Sequence, residues 1–176
     1  MDDVEGALRR SLDRLKVKQV DLFLIHWPIQ TVGNDLENAK PTRIPMYKIW
    51  AEFERMVELG LTKSIGVSNF NFQLLNDLLS YARIKPVTNQ IELHPYLSQH
   101  RFVESMKSNG IIPTAFCPLA RGGGEGMPLT DPVIGQIAKE IGKTPAQVIL
   151  AWHVARGHAF IPKSSKYERA IENAES

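Results

Sequence analysis

Five short apolar segments of this sequence are each followed by polar or aromatic residues that can take part in chemistry. These residues are His26-Trp27, Ser68-Asn69, Asn89-Gln90, Phe116-Cys117 and Lys163-Ser164-Ser165. Neutral hydrogen-bonding groups beside aromatic rings suit a flat heterocycle that carries a carboxamide. A lysine beside hydroxyl groups suits a phosphate. We therefore expect the segment ends to bind a ligand that has both features.

Such residues need a scaffold that brings the segment ends together, and the apolar pattern predicts one. Short apolar runs predict strands at about 20–28, 64–68, 86–91, 111–116 and 159–162. Apolar residues at helical spacing predict helices at about 4–15, 46–59, 71–82, 99–108, 131–141 and 145–155, with a last one from about 166. Alternation of this kind predicts a parallel α/β sheet, in which ligand sites lie at the carboxyl ends of the strands.

Two architectures fit this alternation: an open doubly wound sheet, or part of a (β/α) barrel. The 176 residues are fewer than the roughly 200 to 250 of a complete barrel. A helix that opens a βα repeat normally follows a strand of its own, and the first helix here has none, so the sequence reads as if it begins within a repeat. No linker or charge block divides it, which predicts one domain over residues 1–176.

Composition narrows the class of protein. A hydrophobic fraction of 43% and a charged fraction of 23% exclude a disordered chain. The net charge of +2 gives no case for nucleic acid or an anionic membrane as a partner. The lone Cys117 cannot form an intrachain disulfide or a cysteine-rich zinc site. With no signal peptide, no membrane-spanning run and no metal-ligand spacing in the sequence, we expect a soluble, cytoplasmic protein without a metal site.

Each candidate also has a plainer interpretation. His26 follows four apolar residues and fits a core histidine hydrogen-bonded to a neighbouring carbonyl. Ser68-Asn69 fits the N-cap of the next helix, a role compatible with ligand binding. The stretch from Lys163 to Lys166 fits a solvated turn, although Arg169 lies on the next helical turn, where a cation and a helix N-terminus together favour an anion.

Gln90 and a glycine-rich run are the remaining candidates in the sequence. Gln90 lies in an apolar segment, where a buried amide without partners costs about 1 to 3 kcal/mol, and a bound ligand would supply those partners. The run from Arg121 to Gly126 is rich in glycine, but its spacing matches neither GxGxxG nor GxxxxGK[ST]. A mobile lid or a plain linker is the better interpretation of that run.

Taken together, these stretches resemble the aldo-keto reductase family, whose members are NADP(H)-dependent enzymes built on a (β/α)₈ barrel. The matching segments, in family order, are VDLFLIHWP (20–28), KSIGVSNF (63–70), NQIELHPYL (89–97), AFCPLARG (115–122), TPAQVILAW (144–152) and IPKSSKYERAIEN (161–173). The chain is most similar to the small reductases of aldehydes, glycerol-type ketoses and diketogluconate. The resemblance implies a partial (β/α)₈ barrel containing strands four to eight and their helices, without the three N-terminal βα units.

The resemblance also implies a role for each candidate. His26 would orient the substrate carbonyl, and Trp27, together with the loop from Ile29 to Pro45, would line the substrate pocket. The residues expected to bind NADP(H) are Ser68, Asn69, Gln90, Phe116, Cys117, Leu119, Lys163, Ser164, Arg169, Glu172 and Asn173.

Different parts of the cofactor are assigned to different members of that set. Ser68, Asn69 and Gln90 would hold the nicotinamide carboxamide, and Phe116, in place of the usual tyrosine, would stack on the ring. Cys117 replaces the usual serine, and Leu119 follows it on the pyrophosphate side. The 2′-phosphate would be bound by Lys163, Ser164 and Arg169, and the adenine end by Glu172 and Asn173. The glycine-rich segment from Gly122 would close over the cofactor.

The family's catalytic group is a tetrad of Asp, Tyr, Lys and His, in which the tyrosine protonates the carbonyl oxygen. The resemblance assigns Asp, Tyr and Lys to the first three strands. Tyr47, Tyr81, Tyr96 and Tyr167 match none of these positions. These 176 residues are therefore expected to include most of a cofactor site with one member of the tetrad, His26, and not to reduce a carbonyl by themselves.

Two alternatives from other classes stay open. The chain fits a non-catalytic nucleotide-binding or subunit module that self-associates through open sheet edges, because an unclosed arc of strands leaves two of them. It also fits a fragment of a gene with no independent function.

Overall fold

The computed structural model describes residues 3–29, 31–32, 40–41, 44–121 and 124–176. The strands are β1 (Val20–Ile25), β2 (Thr31–Val32), β3 (Lys40–Pro41), β4 (Thr62–Ser68), β5 (Thr88–Glu92), β6 (Ile112–Phe116) and β7 (Ala159–Phe160). The helices are α1 (Val4–Leu15), α2 (Met46–Glu58), α3 (Phe72–Tyr81), α4 (His100–Ser108), α5 (Pro132–Ile141), α6 (Pro145–Ala155) and α7 (Tyr167–Ala174), with a 3₁₀ turn at Pro128–Thr130.

The predicted parallel α/β fold is confirmed. Hydrogen-bonded strands follow the order β1-β4-β5-β6-β7. β1 and β4 are parallel and in register from Val20 opposite Thr62 to Ile25 opposite Val67, and β6 and β7 are likewise parallel. The sequence patterns did not predict β2 and β3, which pair antiparallel as a separate two-stranded sheet within the stretch interpreted as a loop.

The chain groups into two units, Met1–Asn89 and Gln90–Ser176. In the first, α1 and α2 pack on β1 around an apolar cluster. Its members are Leu8, Leu12, Met56 and Leu61, with Val4, Val20 and Phe23 against them. Asp3 caps α1 by accepting a hydrogen bond from the backbone N–H of Gly6, 3.0 Å away, a common role for aspartate at a helix start. Leu15, the last residue of α1, is exposed.

A glycine on β4 allows a close approach to its neighbours in the first unit. A Cβ atom at Gly66 would lie 2.8 Å from both the Leu24 side chain and the carbonyl oxygen of Thr88. Any larger residue would therefore force the backbone apart. Beside this contact, the rings of Phe23 and Phe53 stack with centroids 4.6 Å apart, which fixes α2 on β1.

In the second unit, α6 is the most deeply buried helix. Ile149, Leu150 and His153 on this helix are completely buried. Its start carries a capping box, in which the Thr144 hydroxyl accepts from the backbone N–H of Gln147, and the Gln147 side chain accepts from the N–H of Thr144. Among the residues that the structure describes, no helix combines the length and apolar character needed to cross a membrane.

Candidate functional site

The carboxyl ends of β1 and β4 bring three predicted residues together in the first unit. Ile25 lies opposite Val67, so His26 and Ser68 occupy the next positions of two neighbouring parallel strands. The side-chain amide of Asn69 donates to the backbone carbonyl oxygen of His26 at 2.8 Å and to the Ser68 hydroxyl at 3.2 Å. This hydrogen-bonded junction holds the two strand ends in a defined relative position.

His26 is exposed, so the core-histidine interpretation is wrong. Its ring centroid lies 5.9 Å from that of Trp27, and 47% of the Trp27 surface is exposed. A cavity of about 220 Å³ adjoins both side chains, and Ile29, Ile49 and Phe53 contribute to its walls. An exposed imidazole beside an apolar cavity is able to donate a hydrogen bond to the oxygen of a small carbonyl compound.

The N-cap interpretation of Ser68-Asn69 is also wrong. Asn71 caps α3, and its side-chain oxygen accepts from the backbone N–H of Leu74 at 2.9 Å. Asn69 instead has a left-handed backbone with φ of 61°, a conformation that Asn tolerates better than most residues. The turn points the chain back toward the sheet, so Phe70 is buried and the helix begins two residues later than the cap interpretation requires.

The two amides of β5 differ from the sequence expectation. β5 continues to Glu92, so Asn89 and Gln90 lie within the strand rather than at its end. Pairing continues because the backbone N–H of Leu93 still donates to the carbonyl oxygen of Phe116. Asn89 is 0% exposed whereas Gln90 is half-buried, so the desolvation argument made for Gln90 applies to Asn89, whose Nδ2 donates to the Phe70 carbonyl.

In the second unit, β6 ends in a tight turn that carries two of the predicted residues. Phe116 is the last residue of β6, and Cys117 follows it with φ of 47°. The backbone N–H of Ala120 donates to the carbonyl oxygen of Cys117 at 2.8 Å, and Ala120 is also left-handed. Two strained non-glycine residues in four are typical of sites where the backbone must present a ligand surface.

A groove of about 560 Å³ in the second unit contains six of the predicted cofactor residues. They are Leu119, Lys163, Ser164, Arg169, Glu172 and Asn173. Ala120, Leu129, Thr144, Pro145, Ala146 and Ser165 complete its walls. Of these, Ser165 was a candidate from the sequence. The other five were not, because their types are ordinary and only the fold brings them beside the cations.

The electrostatics of this groove favour an anion. Within the described residues, neither Lys163 nor Arg169 pairs with a carboxylate group, whereas Arg55 and Arg83 elsewhere each do. α7 begins at the groove, and no side chain caps its first N–H groups, so its positive end adds to the two cations. Ser164 has its hydroxyl bonded to the backbone of Lys166, as donor at 2.9 Å and acceptor at 3.0 Å, which orders the approach to α7.

Two hydrogen bonds from the start of α6 hold Glu172, the acidic residue of the groove. The Thr144 hydroxyl donates to the Glu172 carboxylate at 2.5 Å, and the Gln147 side chain donates to the Glu172 backbone carbonyl at 3.1 Å. Both donors belong to the capping box of α6. The carboxylate of Glu172 is therefore oriented by a helix start rather than by either groove cation.

Lys163 itself lies three residues beyond β7, which ends at Phe160 rather than at the predicted residue 162. Gly122 and Gly123 lie outside the described residues, and so does most of the stretch between Ile29 and Pro45. The predicted lid therefore stays a prediction. Over the part of the chain that the structure describes, no group of three or more histidine, cysteine, aspartate or glutamate side chains is arranged to hold a metal ion.

A parallel α/β sheet, with an exposed histidine after one strand and a cationic groove after another, is the arrangement of a nucleotide-binding α/β protein. The family model described as "Aldo/keto reductase family" matches residues 2–176, and the chain belongs to that family.

Individual relatives agree with this assignment. The chain is 43% identical to aldo-keto reductase family 1 member A1-A of Danio rerio, over 99% of this chain and 58% of that protein. It is 37% identical to the NADP-dependent D-sorbitol-6-phosphate dehydrogenase of Malus domestica, over 98% of this chain and 61% of that protein. The solved structure of aldose reductase from Giardia lamblia superposes with a TM-score of 0.90 at 36% identity, over 98% of this chain and 61% of that one. The chain thus spans about three fifths of the length of each of these proteins.

Proposed function

We propose that this chain carries the NADP(H)-binding and substrate-orienting part of an aldo-keto reductase, an oxidoreductase that converts an aldehyde or ketone to an alcohol. The observation that carries the proposal is the groove that contains Lys163, Ser164 and Arg169 beside the start of α7. In the family barrel, β1, β4, β5, β6 and β7 would correspond to strands four to eight. A free Cys117 thiol supports a reducing, cytoplasmic setting.

The groove residues fit the adenosine end of NADP(H). Lys163 and Arg169 would neutralise the 2′-phosphate, which NAD(H) lacks, and Ser164 would donate a hydrogen bond to it. Glu172, held by Thr144, and Asn173 would contact the adenine. Leu119 would cover the pyrophosphate side.

The residues of the nicotinamide end are assigned by their roles in the family. Asn69 already uses its Nδ2 for the His26 carbonyl, so its oxygen would accept from the carboxamide. Ser68 and Gln90 would complete the carboxamide contacts, and Phe116 would stack on the ring with Cys117 beside it. When bound, NADPH supplies the hydride for reduction of the carbonyl carbon.

His26 would contribute orientation to the reaction. An imidazole N–H that donates to the carbonyl oxygen draws electron density from the carbonyl carbon and fixes which face is presented. Trp27, with nearly half of its surface exposed, would line the pocket that selects a small carbonyl compound. Proton donation to the oxygen needs the tyrosine of the family tetrad. Tyr47, Tyr81 and Tyr167 lie on helices and Tyr96 lies in a turn, and none of the four matches the family position.

NADPH and NADH titrations, followed by intrinsic tryptophan fluorescence, test the cofactor assignment. Because charge-assisted hydrogen bonds contribute about 1.5 to 3 kcal/mol, we expect Lys163→Met and Arg169→Met each to weaken NADPH binding by about tenfold or more. NADH binding should change little in both variants. Lys139→Met, which removes an equally exposed cation on α5, is the matched control. Equal loss of NADPH and NADH affinity would remove the phosphate role from these two residues.

Carbonyl reduction is tested with glyceraldehyde and a nitrobenzaldehyde. For the 176-residue chain alone we expect NADPH binding without steady NADPH oxidation, because general acid catalysis contributes about 10² to 10⁴ in rate and the resemblance assigns its donor to a strand outside these residues. Sustained oxidation by protein free of contaminating reductase, abolished by His26→Ala, would refute this expectation.

A second candidate is a non-catalytic nucleotide-binding or subunit module that associates through a sheet edge. Of the described strands, β1 pairs only with β4, and Leu22 on β1 is 42% exposed. An unpaired strand edge with apolar side chains is a template for a second strand. Size-exclusion chromatography with light scattering discriminates, since a stable monomer at high concentration contradicts edge pairing. Asp21→Lys or Leu22→Lys should dissociate any dimer that forms this way.

A further inference from the structure

Two histidines that the sequence analysis did not identify form a buried contact in the second unit. His153 on α6 is 0% exposed and His158 beyond it is 6% exposed. Their Nδ1 atoms are 3.4 Å apart. The other ring nitrogen of His153, Nε2, is 3.3 Å from the backbone carbonyl oxygen of Pro118. A chain of three groups therefore links the end of α6 to the turn after β6.

The end of α6 produces this contact. Gly157 is left-handed with φ of 63°, and its N–H donates to the carbonyl of Val154, while the N–H of His158 donates to the carbonyl of His153. This is a Schellman motif, in which the second residue past the cap contacts the third-from-last helical residue. In this motif the two residues in contact are usually apolar, and here both are histidines. The ring centroids of Phe160 and His153 are 5.5 Å apart.

Hydrogen positions follow from the partners. The Pro118 carbonyl can only accept, so His153 must carry its hydrogen on Nε2. In a neutral ring its Nδ1 is then a bare acceptor, so Nδ1 of His158 must carry the hydrogen that lies between the two rings. We propose that His153 and His158 are a hydrogen-bonded pair of fixed tautomers, Nε2–H and Nδ1–H, and that this pair positions the Cys117–Ala120 turn for the cofactor.

Neutral rings are expected from the surroundings. Burial lowers the pKa of His153. The hydrogen bond to the Pro118 carbonyl opposes this, and His94 and Arg156 act in the same direction as burial. Burial likewise lowers the pKa of His158 to about 4, with His153, Lys107 and Arg156 acting in the same direction and Glu104 opposing them. Cations thus outnumber the carboxylate around the pair, and both imidazoles should be uncharged at neutral pH.

The turn needs such an anchor because its backbone is strained. Cys117 and Ala120 both have positive φ, and each left-handed non-glycine residue costs about 1 to 2 kcal/mol. Leu119 and Ala120 form part of the groove wall, so a turn that relaxes would change the wall on the side assigned to the pyrophosphate. This part of the inference rests on the proposed function, whereas the tautomers do not.

Long-range proton–nitrogen NMR of the ¹⁵N-labelled 176-residue chain tests the tautomers directly. At neutral pH we expect a protonated Nε2 with a bare Nδ1 for His153, and the reverse for His158. His153→Gln and His158→Asn assign the signals. A hydrogen on Nδ1 of His153, or on Nε2 of His158 at neutral pH, would overturn the pair as proposed whether or not NADPH binds.

Cofactor binding tests the positioning role. His153→Gln keeps an N–H that reaches the Pro118 carbonyl, and His158→Asn keeps a donor toward His153. His153→Leu fills the space without a donor. We expect the Leu variant to bind NADPH about fivefold more weakly, the loss of one hydrogen bond, and both amide variants to bind within about twofold of the parent chain.

Adenosine 2′-monophosphate separates this role from general stability. It carries the adenine and the 2′-phosphate but no part of the pyrophosphate or the nicotinamide half, so its affinity should be the same in His153→Leu as in the parent chain. Equal weakening of both ligands, or no difference between Leu and Gln at position 153, would show that the pair is only structural. Failure of the parent chain to bind either ligand would instead count against the proposed function and leave the tautomer result standing.

Discussion

The side-chain amide of Asn69 donates a hydrogen bond to the backbone carbonyl oxygen of His26, 2.8 Å away. The bond joins the neighbouring parallel strands β1 and β4 at the point where each strand ends. It also fixes the backbone at the one histidine that the site uses. A residue assigned to the cofactor therefore has a second task, which is to hold the residue assigned to the substrate.

Replacing Asn69 should loosen this junction. Asn69→Ala removes the amide and places an alanine at φ of 61°, where a Cβ without a polar group is strained. The two effects together should lower the free energy of unfolding by about 2 kcal/mol, measured by urea denaturation.

Asn69→Gly separates the two contributions. Glycine accepts the positive φ without strain but lacks the amide, so its loss of stability should be about half that of alanine. Asn69→Asp keeps the side-chain shape and cannot donate. If alanine and glycine destabilise equally, the left-handed backbone contributes nothing and the hydrogen bond carries the whole effect.

Glu54 on α2 is a buried carboxylate that contacts the connection before β5. Its replacement provides a second test. Oε1 of Glu54 accepts from the backbone N–H groups of Arg83 at 2.7 Å and Ile84 at 2.9 Å. Glu54→Ala would leave two part-buried backbone donors without this acceptor, so we expect a loss of about 1 to 3 kcal/mol in the free energy of unfolding.

Glu58 is the matched control for Glu54. It also pairs with the Arg83 guanidinium, at 2.6 Å, but its side chain is 51% exposed. Glu58→Ala should therefore cost less than about 1 kcal/mol. A similar cost for the two alanine variants would mean that the ion pair, and not the buried acceptor, determines the effect of Glu54.

Sequence patterns predicted the scaffold well because its elements depend on local spacing. The nearly continuous apolar run from Val20 to Ile25 and the four-residue spacing of Leu8 and Leu12 can both be recognised from the local sequence alone. The groove was predicted from its charged residues for a similar reason: Lys163 and Arg169 lie six residues apart around a helix start.

The remaining features depend on which way a residue faces, and sequence does not determine that. Asn89 and Gln90 are adjacent on β5 and point to opposite faces, so pattern alone could not tell which amide is buried. Asn69 was interpreted as a cap because Asn suits both caps and left-handed turns. The contact between His153 and His158 requires α6 to stop just before the left-handed Gly157. A glycine at that position is a helix-stop signal in the sequence.

The hydroxyl of Thr144 has two roles that one variant separates. It caps α6, and it donates to the Glu172 carboxylate at 2.5 Å. Thr144→Val should lower the free energy of unfolding by about 1 to 2 kcal/mol, and Thr144→Ser should restore it. Under the proposed function, valine also releases Glu172 and weakens NADPH binding by about two- to fivefold.

Combining variants checks the second role of Thr144. In a Glu172→Gln background, Thr144→Val should cause little further loss of NADPH affinity, because the carboxylate that it orients is gone. Additive losses of affinity would show that Thr144 acts on the cofactor groove by another route.

Protonation of His158 should couple stability to pH. Its pKa falls from 6.5 to about 4 because the ring is buried and cations surround it. When the pKa of a histidine is lower in the folded state, the unfolded chain binds the proton at a higher pH than the folded chain does. The contribution of neutral His158 to the free energy of unfolding is therefore complete above pH 6.5 and is lost as the pH falls toward 4.

Urea denaturation at intervals from pH 7.5 to 4 measures this coupling when the parent chain is compared with His158→Asn. Asparagine keeps a donor toward His153 and does not titrate in this window. The other ionisable groups are shared by the two proteins, so the difference between their free energies of unfolding reports the titration of His158 together with its coupling to His153. We expect the advantage of the parent chain to shrink, or to reverse, as the pH falls from about 6.5 to about 4. Parallel curves would mean that the folded chain protonates His158 as readily as the unfolded chain does, in which case the buried pair does not exclude the proton and its tautomers are not fixed.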